Sequence, residues 1–485
     1  MNKKNLAVIA SRLKCVDAIS VEAEKWIDKY VKLGYNVHLI AGKFGEPVTL
    51  PHFVIPEMDY KHPEVRGIKR ILFSTKLEKM GKKAAEILTN SIVKRIKGPL
   101  KNYLVQNKIQ VLCVEDALGS MKHIPLCIAM KDICDELSIP VISRYHYAYW
   151  QNPYFTKFDN FPKLLAELPP KYKNIIHITN TNESYAHLKD KKGIIAKVIP
   201  NTIDIDRLHE LDAYNVDFRS AFGIRDDQLI FLQPTRIKRN KYIERSIKLV
   251  AEINDIMKKD NVLFITGSPV YSRGNYFEEI VKKMKKQNVN VIFANDRIFL
   301  GRHHNQEQKF YSIHDAYVHA DVVLYPNEGD AFGNPIIEAV AYKKPLVVNT
   351  FPNLKEFKDL GFRFVVMDQK MDTEVISDTY ELIANKEKAN EVVEHNFGLL
   401  KKHYSSDVLD QNLIPILNEI DADHSFMSKM AGLLPGRFWK KEEQKHKGTP
   451  QQDKKEFKGV QQSGKKKKHR DLRNKKGGYK EPVKR

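Results

Sequence analysis

Short apolar runs alternate along this chain with longer stretches in which apolar residues return every three or four positions. Runs of four or five apolar residues bounded by turn formers predict buried strands, and the longer period predicts amphipathic helices. In the first two hundred residues this reading places strands over 6–10, 37–41, 111–114, 140–143, 175–179 and 196–201. Between them fall a helix over 19–31 closed by Gly34, a mostly helical basic stretch over 60–108, and a helix over 124–137. Periodicity is lost over 204–215, which reads as a linker. Then the pattern restarts, with strands over 229–232, 262–266, 289–293, 322–324, 346–348 and 364–366. The accompanying helices cover 242–253, 277–286, 313–320, 335–342, 373–385, 386–395 and 405–420. Strand and helix in strict alternation describe parallel sheets covered on both faces. The fold class is therefore α/β, as two Rossmann-like domains over 1–205 and 206–400. A helix over 401–424 is expected to pack back toward the first domain, and 425–485 forms a tail.

Ligands of such folds bind beyond the carboxyl ends of the strands, so the loops that leave them are the place to look for chemistry. The loop after 322–324 carries Glu328, Asp330, Phe332 and Gly333, and leads to Asn334-Pro335. Asn at the N-cap with Pro at the first helical position predicts a helix start there, and the free N–H groups of that start suit a phosphate. Glu338 follows within the helix, eight positions beyond Asp330. In the second domain's first exit loop Arg236 and Lys241 stand five apart. A basic loop is ordinarily just a solvated one; a pair of cations at the same sheet edge as a phosphate-ready helix start is more specific. In the first domain, Asp17, Ala18 and Ser20 follow the first strand, and His146 follows 140–143 amid aromatic residues. A histidine among aromatics is more often structural, but a position just past a strand's carboxyl end favours function.

Composition adds limits. Cys15, Cys113, Cys127 and Cys134 form no CxxC pair and no metal-ligand rhythm with histidine, so free thiols and no metal site are expected. The first apolar segment is too short for a signal peptide, and no apolar run of about 18 residues occurs, which predicts a cytoplasmic protein. The formal net charge is +21, and residues 440–485 hold 18 Lys/Arg against 6 Asp/Glu. Such a segment reads as a disordered basic tail. Its charge suits an anionic membrane surface, with apolar residues over 426–439 supporting peripheral contact. It suits nucleic acid less well, because aromatic residues are sparse.

Taken in order, these motifs resemble those of family 4 retaining glycosyltransferases of the GT-B fold. Arg236 and Lys241 resemble the family's Arg-x-x-x-x-Lys pair. Residues 330–338 resemble its Glu-Gly-Phe-Gly-x-x-x-x-Glu motif, and 200–204 its Pro-Asn-Gly-Val-Asp linker signature. The branch containing mannosylglucosyl-phosphoglycerate synthases carries segments similar to 20–26, 146–150 and 332–334. The resemblance implies two domains facing a central cleft and no protein nucleophile, metal or other cofactor. The substrate it implies is a nucleotide diphosphate sugar, GDP-mannose or a UDP-sugar. It implies that Arg236, Lys241, Phe332, Gly333 and Asn334 hold the donor and that Glu338 binds its ribose. Asp330, or alternatively Glu328, and His146 would face the transferred sugar, with a sugar, glycerate-type or glycolipid hydroxyl as acceptor. Departures stand at Ala18, Ala331, Tyr147 and Tyr242, and Asp330 itself replaces the family's Glu. They keep open a nucleotide-sugar epimerase, a phosphorylase, or a non-catalytic binding protein on the same fold.

Overall fold

The computed structural model describes residues 4–15, 17–73, 79–120, 122–146, 167–270, 275–299, 301–367 and 372–433. The chain divides into two compact units, 1–420 and 421–485, and of the second only 421–433 are described, as helix. The basic tail beyond 433, Tyr147 and the rest of the segment 147–150 lie outside the described residues.

The first unit holds two parallel sheets. Strands β1 (Asn5–Leu13), β2 (Asn36–Phe44), β3 (His52–Val54), β4 (Val111–Glu115), β5 (Val141–Tyr145), β6 (Ile175–Thr179) and β7 (Lys197–Val198) form the first, in the order β3-β2-β1-β4-β5-β6-β7. Its helices are α1 (Ala18–Lys32), α2 (Pro63–Leu72), α3 (Lys79–Gln106), α4 (Ile124–Leu137) and α5 (Asn182–Lys192). Strand order reverses between β1 and β4, so the loops after those two strands flank a crevice at the sheet's carboxyl edge.

The second sheet runs β10-β9-β8-β14-β15-β16, from β8 (Ile230–Gln233), β9 (Val262–Ile265), β10 (Asn290–Phe293), β14 (Val322–Tyr325), β15 (Leu346–Asn349) and β16 (Val365–Met367). Its helices are α6 (Phe218–Ala221), α7 (Ile243–Met257), α8 (Tyr276–Lys286), α9 (Ile313–His319), α10 (Asn334–Ala341), α11 (Leu354–Asp359), α12 (Thr373–Ala384) and α13 (Lys386–Tyr404). Here the reversal falls between β8 and β14, the strands that deliver Arg236, Lys241 and Asp330. Phe231, Leu232, Val323 and Leu324 are wholly buried, as expected of strands covered on both faces.

Helix α14 (Ser406–Leu433) returns from the second sheet to the first: Leu409, Leu413, Ile416 and Ile420 join a core with Leu6, Val8, Trp26 and Tyr30. Lys29 pairs with Asp410 at 2.5 Å along that seam.

Three expectations change. Strand β1 runs three residues beyond the expected 6–10, because Leu13 is buried and the Arg12–Lys43 and Leu13–Phe44 pairs continue the ladder with β2. A small sheet, β11 (Ile298–Phe299), β12 (His303–His304) and β13 (Lys309–Ser312), was missed, since strands this short show no period. Helix α10 starts one residue earlier than expected, with Gly333 rather than Asn334 at the N-cap.

Candidate active site

The loop after β8 is fixed by the loop after β9. Ile237 N–H donates to Ser268 O at 3.2 Å and Ile237 O accepts from Val270 N–H at 3.0 Å. A Cβ on Gly267 would lie 2.6 Å from the Arg236 nitrogen, so only glycine lets the two backbones approach this closely. Arg236, exposed, lines a cleft of about 750 Å³, and Lys241 follows five positions on in the same loop. Lys241 is mostly buried; Gln233 Nε2 donates to its carbonyl at 2.9 Å. Its Nζ lies 3.3 Å from Asp330 Oδ2. Burial holds the Lys241 ammonium below its ordinary pKa even with Asp330 opposing, and Arg236 and Lys238 push it the same way.

Tyr325 at the end of β14 donates its hydroxyl to Asp330 Oδ2 at 2.7 Å, while the Ala331 N–H donates to Oδ1 at 2.9 Å. Asp330 is thus aimed at Lys241 by its own strand. Glu328 is exposed and its carboxylate bonds the Tyr242 hydroxyl, whose pKa rises from burial first and this partner second. Tyr242, where the family commonly has Gly, takes the left-handed φ of +42° that Gly adopts freely, and stacks under Arg245 at 4.1 Å.

Gly333 has φ +108°, and a Cβ there would sit 3.2 Å from Ile336 Cδ1. Gly333→Ala should therefore cost about 1–3 kcal/mol and lower Tm accordingly; thermal unfolding of the purified variant measures it, and an unchanged Tm would remove the steric argument. Phe332, expected to help hold the donor, has its ring in the core, packed against Phe357 and Tyr404. Asn334 does not cap its helix. Its Nδ2 donates to Glu22 Oε1 at 3.0 Å, and its Oδ1 accepts from Asn201 Nδ2 at 2.8 Å. Glu22 of α1 also pairs with Lys25 at 2.6 Å, whose Nζ reaches Thr202 O, so the start of α10 is tied to α1 and to the segment just before the linker. The Glu22 and Lys25 spacing was visible in residues 20–26, but nothing local to that segment reveals a partner 312 positions away. Glu338 accepts from Tyr317 Oη at 2.8 Å; burial raises its carboxyl pKa above the ordinary value, against the pull of Tyr317 and Lys25.

On the first domain Asp17 caps α1, its Oδ1 accepting from Ser20 N–H at 3.2 Å. Ser20 is fully buried and donates Oγ to Arg12 O, so it braces the loop and is not open to a ligand; Ala18 is exposed at the first turn. Arg12, Lys14, Lys43 and Lys61 face Arg236 and Arg302 around the cleft, against Asp17 and Glu46. Arg12, Lys43 and Arg302 were not singled out from sequence. His146 is buried beyond β5, its Nε2 2.9 Å from Glu115 Oε2, and its N–H donates to Asp116 Oδ1 at 3.1 Å. Among the described residues no group of three or more His, Cys, Asp or Glu is placed to hold a metal ion, and the four cysteines are free.

Residues 216–397 match the family model described as Glycosyl transferases group 1. They are a group 1 glycosyltransferase domain. Most of the chain resembles two curated relatives named mannosylglucosylglycerate synthase. The one from Petrotoga mobilis is 27% identical over 437 residues, covering 85% of this chain and 98% of the relative. The one from Thermotoga maritima is 23% identical over 450 residues, covering 84% and 100%. Sucrose-phosphate synthase from Thermosynechococcus elongatus has the same fold, with TM-score 0.62 at 12% identity over 87% of this chain and 100% of that one. The protein is thus an enzyme of the glycosyltransferase class with the GT-B architecture. No helix among the described residues of this glycosyltransferase is long and apolar enough to cross a membrane.

Proposed function

We propose that this glycosyltransferase moves a hexosyl group from a nucleotide diphosphate sugar to a hydroxyl acceptor, with retention of anomeric configuration and without a metal. The observation that carries the reading is the Lys241–Asp330 pair at the strand-order reversal of the second sheet, with Arg236 close enough to depress Lys241 further. Two cations crowded at one sheet edge are poised for a diphosphate, whose charge grows as the glycosidic bond breaks; they supply the neutralisation that a metal gives elsewhere. Gly333 and Asn334, at the start of α10, are proposed to add polar contacts to the phosphates, Glu338 suits the ribose hydroxyls, and Asp330 suits those of the sugar. Asp330 is favoured over Glu328 because it faces Lys241, whereas Glu328 is engaged by Tyr242. His146 is proposed to meet the sugar from the first domain.

The acceptor is proposed to bind between Arg12, Lys43 and Asp17 on the first domain's side of the cleft. The cations there suit a carboxylate, consistent with relatives named for a glycerate product. GDP-mannose with a glucosylglycerate acceptor is the first pair to assay. Titration calorimetry with GDP-, UDP- and ADP-hexoses in EDTA tests the donor half. One nucleotide family should bind with EDTA present, and Arg236→Ala should weaken it; binding of none, or binding only after a divalent ion is restored, would reject the metal-free reading.

A further inference from the structure

Glu115 ends β4 with its carboxylate buried and both oxygens engaged. Oε1 accepts from Arg144 Nη1 at 2.7 Å, with Cys113 Sγ 3.6 Å away on the same side; Oε2 lies 2.9 Å from His146 Nε2. The Arg144 guanidinium is itself seated 3.8 Å over the Trp26 ring of α1, so it is clamped between the carboxylate and an aromatic face. We propose that Glu115 is a positioning residue for glycosyl transfer: it holds His146 as the Nε2–H tautomer and leaves Nδ1 as the lone-pair nitrogen that meets a hydroxyl of the transferred sugar. This inference rests on the role proposed above for His146.

The donor and acceptor inventory argues for it. A guanidinium only donates and an ionised carboxylate only accepts, so a neutral imidazole beside Glu115 must carry its proton on Nε2. Glu115 stays ionised: burial pushes its pKa up, but Arg144 and His146 outweigh burial and bring it below the ordinary value. The main chain is fixed separately, by the bond from His146 N–H to Asp116, so losing the carboxylate changes the ring without freeing the backbone.

The arrangement makes an unusual substitution informative. In Glu115→Gln the amide oxygen must face Arg144, which can only donate. The amide nitrogen then faces His146 Nε2, which must become an acceptor, and the ring proton moves to Nδ1. Adding Arg144→Met removes that constraint and lets the amide turn its oxygen to His146.

The test is nitrogen-15 NMR of the histidine rings in the full chain, at a pH where the imidazole is neutral, alongside steady-state kinetics. The wild-type ring should be protonated on Nε2, and Glu115→Gln should invert it. The same variant should lose roughly 10²-fold in kcat with donor KM essentially unchanged. Glu115→Gln/Arg144→Met should recover the wild-type tautomer and part of the rate, which a merely structural role of Glu115 does not predict. A wild-type ring protonated on Nδ1 overturns the proposal whether or not the variants fold, as does Glu115→Gln at full kcat. The two readings fail separately. His146→Ala that transfers at the wild-type rate removes the sugar contact assigned to His146; a slow His146→Ala beside a fast Glu115→Gln removes Glu115 alone.

Discussion

Lys241→Ala should lower the rate of glycosyl transfer by about 10²–10³-fold, the loss seen when one preorganised donor to a developing oxyanion is removed. The ammonium is mostly buried, 3.3 Å from Asp330 and within the field of Arg236, so no bulk counterion takes its place as the diphosphate leaves. Its absence leaves the loop in place, because Gln233 holds the Lys241 carbonyl and not its side chain. The effect should therefore fall on kcat with little change in Tm. Lys241→Arg keeps the charge but brings a planar, bulkier head and should recover the rate only in part. Initial rates of nucleoside diphosphate release measure both. A Lys241→Ala enzyme within a few-fold of wild type would show that the pair is only a surface contact.

Asp315→Ala should cost about 3–5 kcal/mol of stability, the range for removing one partner of a buried ion pair. Asp315 is wholly buried and accepts from Arg302 Nε at 2.9 Å, Asn215 Nδ2 at 3.0 Å and Ser312 N–H at 2.8 Å, with His209 Nδ1 3.3 Å away. It joins the linker that carries His209 and Asn215 to Arg302 at the cleft. Burial pushes this carboxyl up, but Arg302, Asn215 and Ser312 outweigh it and hold its pKa well below the ordinary carboxylate range. A depressed folded-state pKa gives stability that is fully present above the unfolded value of about 3.9 and is lost as pH falls through the folded one. Wild type should lose stability from this group below about pH 4, and Asp315→Asn should flatten that part of the profile. Denaturant melts across the acid range check it; parallel profiles would mean that other carboxylates set the acid limb.

The alternation of apolar runs and amphipathic stretches made the two sheets legible, because strands buried on both faces, such as Phe231–Leu232 and Val323–Leu324, cannot hide their composition. The exit loops of the second sheet were legible for a related reason. Arg236, Lys241, Asp330 and Glu338 lie in short exit loops or the helix start beyond, where the fold alone fixes which edge they reach. What escaped were partners distant in the chain. Glu22 meets Asn334 across 312 positions, and Glu115 meets His146 across 31, where two neighbouring strands end whose order no local pattern states. Asn334 misled for the same reason: its residue type suits a cap, yet Glu22 and Asn201 take its amide, and Gly333 with its left-handed φ ends the loop instead. Phe332 sits inside a motif, but its ring fills the core, a placement set by packing partners that no local pattern states.

The most direct measurement is acceptor-dependent release of nucleoside diphosphate from GDP-, UDP- and ADP-hexoses in EDTA, with the product's anomeric configuration read by proton NMR. Release is expected from one nucleotide family, dependent on a hydroxyl acceptor such as glucosylglycerate, with a product that keeps the donor's anomeric configuration. No release from any donor, an inverted product, or release at the same rate from Lys241→Ala would contradict it.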